Sequence, residues 1–213
     1  MISDKNMLSI LSLNKEMEMS LTLYTNPQSR GQIARWMLEE VAEPYETVVL
    51  DYGTTMKAPE YLKINPMGKI PAIVHHGKII TETAAICAYL ADAFPEKNLA
   101  PALSDRADYY RWLFFTAGPL EAAVTNRNLG VTPTLEQQRS VGYGDYERVI
   151  NVLEQALTDK TYIAGNQFTA ADVYVGSQLF WCTQFKTIPM RPAFEAYLNN
   201  MYQRPAFQKV MGK

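Results

Sequence analysis

Apolar and polar positions change rhythm several times in the first half of the chain and then settle into one rhythm. Ser20-Leu-Thr-Leu-Tyr24 alternates with the period of a half-buried strand, and Asn26-Pro27 breaks it. From Arg30 the period lengthens, with Ile33, Met37, Leu38 and Val41 on one face of a helix that Pro44 closes. Tyr45-Glu-Thr-Val-Val-Leu50 is a β-branched run suited to a buried strand. Strand, helix and strand in this order resolve as a parallel pair with a right-handed crossover. Pro59 to Ile64 predicts a short helix ended by Asn65-Pro66. Ile70-Pro71-Ala-Ile-Val74 and Lys78-Ile-Ile80 predict a hairpin about His76-Gly77. A further helix runs from Glu82, marked by Ile86, Leu90, Ala93 and Phe94 and stopped by Pro95.

After a proline-rich, polar stretch at 95–103, no strand signal of comparable quality returns. Asp105 to Leu129 predicts a long helix, and Leu135 to Leu157 another, with Val149, Val152, Leu153, Ala156 and Leu157 as its stripe. Thr169-Ala-Ala-Asp172 has the spacing of a capping box, flanked by Phe168 and Val173 at the staple positions. Pro192 and Pro205 each fit the first turn of a helix. The pattern predicts an α/β domain over 19–95, a linker over 96–103 and an all-helical domain over 104–213. Residues 1–18 read as an extension to which no function is assigned. Met7 to Leu13 is mildly apolar, but an acidic residue precedes it and no small-residue cleavage pattern follows, which argues against a secretory signal. Met17 or Met19 are alternative starts.

Composition narrows the function more than the fold. Of 213 residues, 47% are hydrophobic and 20% charged, and the formal net charge of −2 comes with no lysine or arginine run. Neither a nucleic-acid surface nor an anionic-membrane surface is expected, and the apolar runs are too short to span a bilayer. Cys87 and Cys182 lie far apart in no metal-like spacing, which suits a reducing, cytoplasmic compartment. Both are expected to pack as small apolar side chains. His75 and His76 are adjacent and, on a strand, would point to opposite faces, so no metal site is expected. No GxGxxG or GxxxxGK[ST] stretch marks a nucleotide site.

Asn65-Pro-Met-Gly-Lys-Ile-Pro-Ala-Ile-Val74, followed by Glu82-Thr83, closely resembles the glutathione transferase family. The resemblance covers about residues 20–211 and is most specific in this loop. It implies a thioredoxin-like domain followed by an all-helical domain, and a cis peptide before Pro71. In that geometry Ile70 would offer its N–H and C=O to an extended peptide, a form of strand addition. Glutathione is the implied co-substrate, with contacts from Asn26, Lys69, Ile70 and Pro71. Its γ-glutamyl carboxylate would lie at the helix start formed by Glu82 and Thr83. The family's usual pair there is Glu-Ser, and Thr83 keeps the hydroxyl. Capping of the helix by the same residues is a competing and compatible reading.

The loop Thr25-Asn-Pro-Gln-Ser29 is where the family places the group that activates the thiol, and Ser29-Arg30 matches the bacterial and fungal branches that carry an SR pair. The resemblance makes Ser29 the first choice for thiolate stabilisation, with Asn26 or Thr25 as alternatives and simple N-capping as the competing role of Ser29. Tyr24 belongs to the strand, and Arg30 either adds positive potential or is solvated. The loop lacks the cysteine of the omega- and beta-like members. Tyr109, Trp112, Phe115 and Thr116 are the implied lining of a second-substrate site, with core packing as their other reading. A homodimer is implied as well. The activity implied is conjugation of glutathione to small hydrophobic electrophiles. Glutathione-dependent peroxide or disulfide reduction, and a non-catalytic binding or regulatory role, remain alternatives.

Overall fold

The computed structural model describes residues 21–212. The extension at 1–18, both alternative starts and Ser20 lie outside the described residues. The elements are β1 (Leu21–Thr25), α1 (Gly31–Val41), β2 (Glu46–Val49), α2 (Pro59–Leu62), β3 (Ala72–His75), β4 (Lys78–Thr81) and α3 (Thr83–Ala93). Then follow α4 (Ala107–Phe115), α5 (Glu121–Asn128), α6 (Tyr146–Leu157), α7 (Ala170–Gln184), α8 (Pro192–Tyr202) and α9 (Pro205–Met211). An α/β half followed by a helical half is the arrangement the resemblance implies.

The sheet runs β2-β1-β3-β4. β1 pairs in parallel with β2, from Thr22↔Glu46 to Thr25↔Val49, and antiparallel with β3, from Leu21↔His75 to Tyr24↔Ala72. The hairpin β3–β4 forms around His76-Gly77 as expected, with His75 opposite Lys78. β2 departs from expectation, because all four of its residues are exposed. It is an edge strand with a neighbour on one side only, so its β-branched side chains support twist and pairing without burial. His76 also departs. It sits in the turn at φ 49 rather than on a strand, and its ring lies 4.0 Å from that of His75 instead of on the opposite face.

The expected helix over 105–129 is interrupted. Thr116–Leu120 is a π-helical stretch containing Pro119, which lacks the N–H that a regular helix needs, so the ladder widens to pass it. The helix expected from Leu135 begins only at Tyr146. Gly142 and Gly144 (φ 70) break the apolar rhythm, and Asp145 accepts the Arg148 N–H at 2.9 Å as the true cap.

Helix α7 is buried from Ala170 to Phe180 and sits among α1, α3, α4 and α8. Its capping box forms as the spacing predicts. Asp172 is fully buried and accepts four hydrogen bonds. They come from Ile163 N–H (2.8 Å), Thr169 N–H (2.9 Å), Thr169 Oγ1–H (3.1 Å) and Tyr197 O–H (2.8 Å). Phe168 and Val173 are both buried.

The last helices tie the two halves together. Arg204 grips Glu40 of α1 through two bonds of 2.7 Å while its guanidinium lies 3.4 Å over the Phe168 ring. Trp36 donates to the same carboxylate at 2.8 Å and meets Phe207 edge-on at 4.9 Å.

Candidate active site

The first loop is built around one asparagine. Asn26 donates its amide to Leu50 O at 2.8 Å, tying β1 to the end of β2, and its Oδ1 accepts the Gln28 N–H at 2.9 Å. That Asx turn swings the chain back so that Ser29 faces its own loop. Ser29 donates its hydroxyl proton to Asn26 O at 2.6 Å and accepts the Gly31 N–H at 2.9 Å. Its oxygen therefore holds the N–H of the first helical residue, although the N-cap position itself falls to Arg30 and not to Ser29 as the capping reading has it. The N–H groups of Ser29 and Arg30 find no hydrogen-bond partner among the described residues. They lie at the positive end of the eleven-residue helix α1.

Glycine is required immediately after this pair. A Cβ on Gly31 would sit 1.9 Å from Thr25 Oγ1 and 2.9 Å from Ser29 Oγ. Thr25 itself is buried, beneath the loop rather than at its surface.

The second loop is held from behind. Tyr61 and Asn65 both donate to Lys69 O, and Lys57 reaches Gly68 O at 2.8 Å. Burial pushes the Tyr61 hydroxyl up to about 12, so it stays a donor. With its neighbours fixed, the Ile70–Pro71 bond is cis, and the Ile70 main chain has no hydrogen-bond partner among the described residues. Pro71 is buried under it.

Between the halves lies a cleft of about 610 Å³. One wall carries Gln28, Ser29, Arg30, Tyr52, Lys69 and Ile70, and the other Val124, Asn128, Gln178, Trp181, Cys182 and Phe185. The fold thus brings Ser29, Lys69 and Ile70 together, and Arg30 stands at the edge in an ion pair of 2.8 Å with Glu121 of α5. Asn26 does not line the cleft but positions what does. Glu82 and Thr83 lie outside this lining, at the start of α3. Glu82 is exposed at φ 65, ψ 117, an unusual conformation for a residue with a side chain, and Thr83 is buried.

Tyr109 and Trp112 are placed in the core of the helical half, 0% and 4% exposed, and not on the cleft. The early turns of α4 pack against α7, so their aromatic stripe faces inward, and Thr116 is fully buried too. The apolar wall comes instead from the second half of α7. Trp181 and Phe185 stack at 5.7 Å with 17° between their rings. Cys182 is only partly buried and reaches the cleft, contrary to expectation, because the last turn of α7 emerges from the core there. Burial holds its thiol above the ordinary range, while the Thr187 hydroxyl and Arg30 pull it back. Cys87 is fully buried, and its thiol is pushed up to about 12. Nothing in the rhythm of α7 singles out its cleft face, since its apolar residues are not confined to one side and it is buried all round from Ala170 to Phe180. Gln178, a polar residue amid buried neighbours, was the available signal.

Among the described residues, no three His, Cys, Asp or Glu side chains gather as a metal site, and no helix is long and apolar enough to cross a membrane.

Two family models match the chain, the glutathione S-transferase N-terminal domain over residues 19–92 and the glutathione S-transferase C-terminal domain over residues 133–205. Glutathione S-transferase GstA of Escherichia coli O157:H7 is 29% identical over 197 residues, covering 90% of this chain and 97% of its own length. A sphingomonad glutathione S-transferase solved in complex with glutathione superposes with a TM-score of 0.73 at 28% identity, over 90% of this chain and 97% of that one. Elongation factor 1-gamma of Prunus avium is 26% identical over 91% of this chain, which spans 48% of that longer protein. With both halves matched in order and the loop at 65–74 folded about its cis-proline, the chain belongs to the glutathione S-transferase family.

Proposed function

We propose that the cleft binds glutathione with its sulfur at Ser29 and transfers it to small hydrophobic electrophiles held against Trp181 and Phe185. The observation that carries this reading is the pairing of two unlike walls. On one side are the unpartnered N–H groups of Ser29 and Arg30 and the open main chain of Ile70. On the other is an aromatic wall, the stacked rings of Trp181 and Phe185.

A free thiol with a pKa near ~8.5 is only slightly ionised at neutral pH, and N–H groups at a helix start favour its anion. Ser29 adds its hydroxyl by turning the proton from Asn26 O to the sulfur, exchanging a neutral hydrogen bond for a charge-assisted one. The Ile70 N–H and C=O would pair with the peptide backbone, and Lys69 at the rim would meet a carboxylate. Glu82 and Thr83 would take the γ-glutamyl end outside the deeper cleft. Holding both reactants across 610 Å³ makes the transfer effectively unimolecular. The reaction forms a C–S bond, with a halide or other leaving group departing or a double bond accepting the electron pair.

A second reading, a glutathione-binding protein without transferase chemistry, is favoured by the commitment of the Ser29 proton to Asn26 O. Steady-state turnover of an aryl halide and of an organic hydroperoxide decides among the readings. Conjugation is expected. Peroxide turnover alone would replace it with the reductase reading, and neither activity in a glutathione-binding protein would leave the binding role.

The cytoplasm is the compartment that suits two unpaired cysteines and this co-substrate. A homodimer belongs to the same proposal. Met67 and Phe114, 69% and 72% exposed, are large apolar side chains that a second copy would cover. A monomer at micromolar concentration in light scattering would contradict it.

A further inference from the structure

We infer that Tyr61 is a positioning residue for glutathione, whose hydroxyl, with the Asn65 amide, sets the Lys69–Ile70 peptide so that the Ile70 N–H is aimed toward the cleft. The inference rests on the glutathione reading above and deepens it, by naming what holds the main chain of the second loop in its binding orientation. The Lys69–Ile70 peptide is trans, so the Lys69 oxygen and the Ile70 N–H leave one rigid plane in opposite directions. Tyr61 and Asn65 both donate to that oxygen, Asn65 at 2.8 Å, and together they fill its two lone pairs. Neither donor lines the cleft, whereas Lys69 and Ile70 both do. Holding the oxygen from the buried side therefore turns the N–H the other way, where it has no partner among the described residues.

Both donors are themselves held. Tyr61 is 3% exposed on the short helix α2, and its ring packs in a small second core with Leu50, Met56 and Ala72. The Ile70 side chain packs against the same core, so ring and loop share one footing. Asn65 grips three successive residues of the loop. Its main-chain oxygen accepts the Gly68 N–H at 2.8 Å, its Oδ1 accepts the Met67 N–H at 3.1 Å, and its Nδ2 donates to Lys69. Asn65 thus builds the loop as well as orienting it, and its replacement would confuse the two roles. The Tyr61 hydroxyl is separable, because it sits at the end of a ring whose place is set by packing.

Glutathione affinity by calorimetry, and the pH at which the bound thiol ionises, test the assignment in wild type, Tyr61→Phe and Tyr24→Phe. The Tyr24 ring lies 5.6 Å from that of Tyr61 against the same core, so Tyr24→Phe removes a neighbouring hydroxyl that makes no hydrogen bond to Lys69. Tyr61→Phe is expected to weaken glutathione binding about three- to tenfold, the range for one net hydrogen bond. Its bound thiol should titrate at the wild-type pH, because the first loop is untouched. Tyr24→Phe should bind within about twofold of wild type. A merely structural hydroxyl would leave the affinity of the folded protein unchanged, so unchanged affinity in Tyr61→Phe overturns the inference and leaves the glutathione reading intact. An equal loss in Tyr24→Phe overturns it as well, since the effect would then belong to the core and not to the Lys69 carbonyl. Failure of wild type to bind glutathione at all would overturn the glutathione reading, and this inference with it.

Discussion

The two ends of helix α7 treat buried polar groups in opposite ways. At its start, the Asp172 carboxylate is fully buried and meets four donors from three separate segments. Two turns later, the Gln178 amide is nearly as buried and its nitrogen meets none among the described residues. The first arrangement makes the carboxylate a structural hub. The second leaves a buried donor unmet, as the neighbouring Ser177 hydroxyl also is among the described residues, and each such group costs stability. One helix thus anchors the fold at one end and lines the cleft at the other.

The sharpest break of that comparison is Asp172→Ala, which leaves four donors facing a void. A loss of about 3–5 kcal/mol is expected in chemical denaturation. Burial raises the Asp172 carboxyl to about 6 from its ordinary value of 3.8, against the pull of its hydrogen bonds. A raised folded pKa means that the native state binds the proton more tightly than the unfolded chain. The corresponding stability is therefore complete below about 3.8 and is lost as pH rises through about 6. Asp172→Asn, which cannot titrate, should flatten that window in a pH series of melting curves.

Next in size is Gly31→Ala. The new methyl group meets Thr25 Oγ1, so the first loop must shift, and about 1–3 kcal/mol of stability should be lost together with the placement of Ser29. Arg204→Ala separates the halves differently, by releasing the Glu40 carboxylate, which keeps only Trp36 as a hydrogen-bond partner among the described residues. About 1–3 kcal/mol is expected in the same denaturation assay. The smallest effect is expected at Gln178→Met, within about 0.5 kcal/mol of wild type and as readily above it as below. Removing an unpaired buried donor forfeits no bond. A loss there as large as that at Asp172 would mean that Gln178 is structural, and the contrast between the ends of α7 would disappear.

What the sequence made legible follows from how local each signal is. The capping box at Thr169–Asp172, the prolines opening α8 and α9, and the hairpin at His76-Gly77 are all encoded within a few residues, and all form as expected. The loop at 65–74 was legible through family resemblance, and its cis Ile70–Pro71 bond is present. Burial was harder to read. β2 has the composition of an interior strand and lies on an edge, since strand order is a property of the whole sheet.

The site was half legible for the same reason. Ser29, Lys69 and Ile70 meet because the first half supplies its wall from short loops. Tyr109 and Trp112 went to the core, and the opposite wall came from a helix whose apolar residues are spread around its circumference, which hides which face is open. Only the tertiary arrangement distinguishes a buried aromatic stripe from one that lines a cleft.

The central claim is that the first loop ionises a glutathione thiol, and thiolate absorbance of bound glutathione against pH tests it most directly. In wild type the bound thiol is expected to titrate about one to two units below the free value of ~8.5, and in Ser29→Ala to move back toward it while affinity changes by less than about threefold. Bound glutathione titrating at the same pH in both proteins would contradict the role given to Ser29.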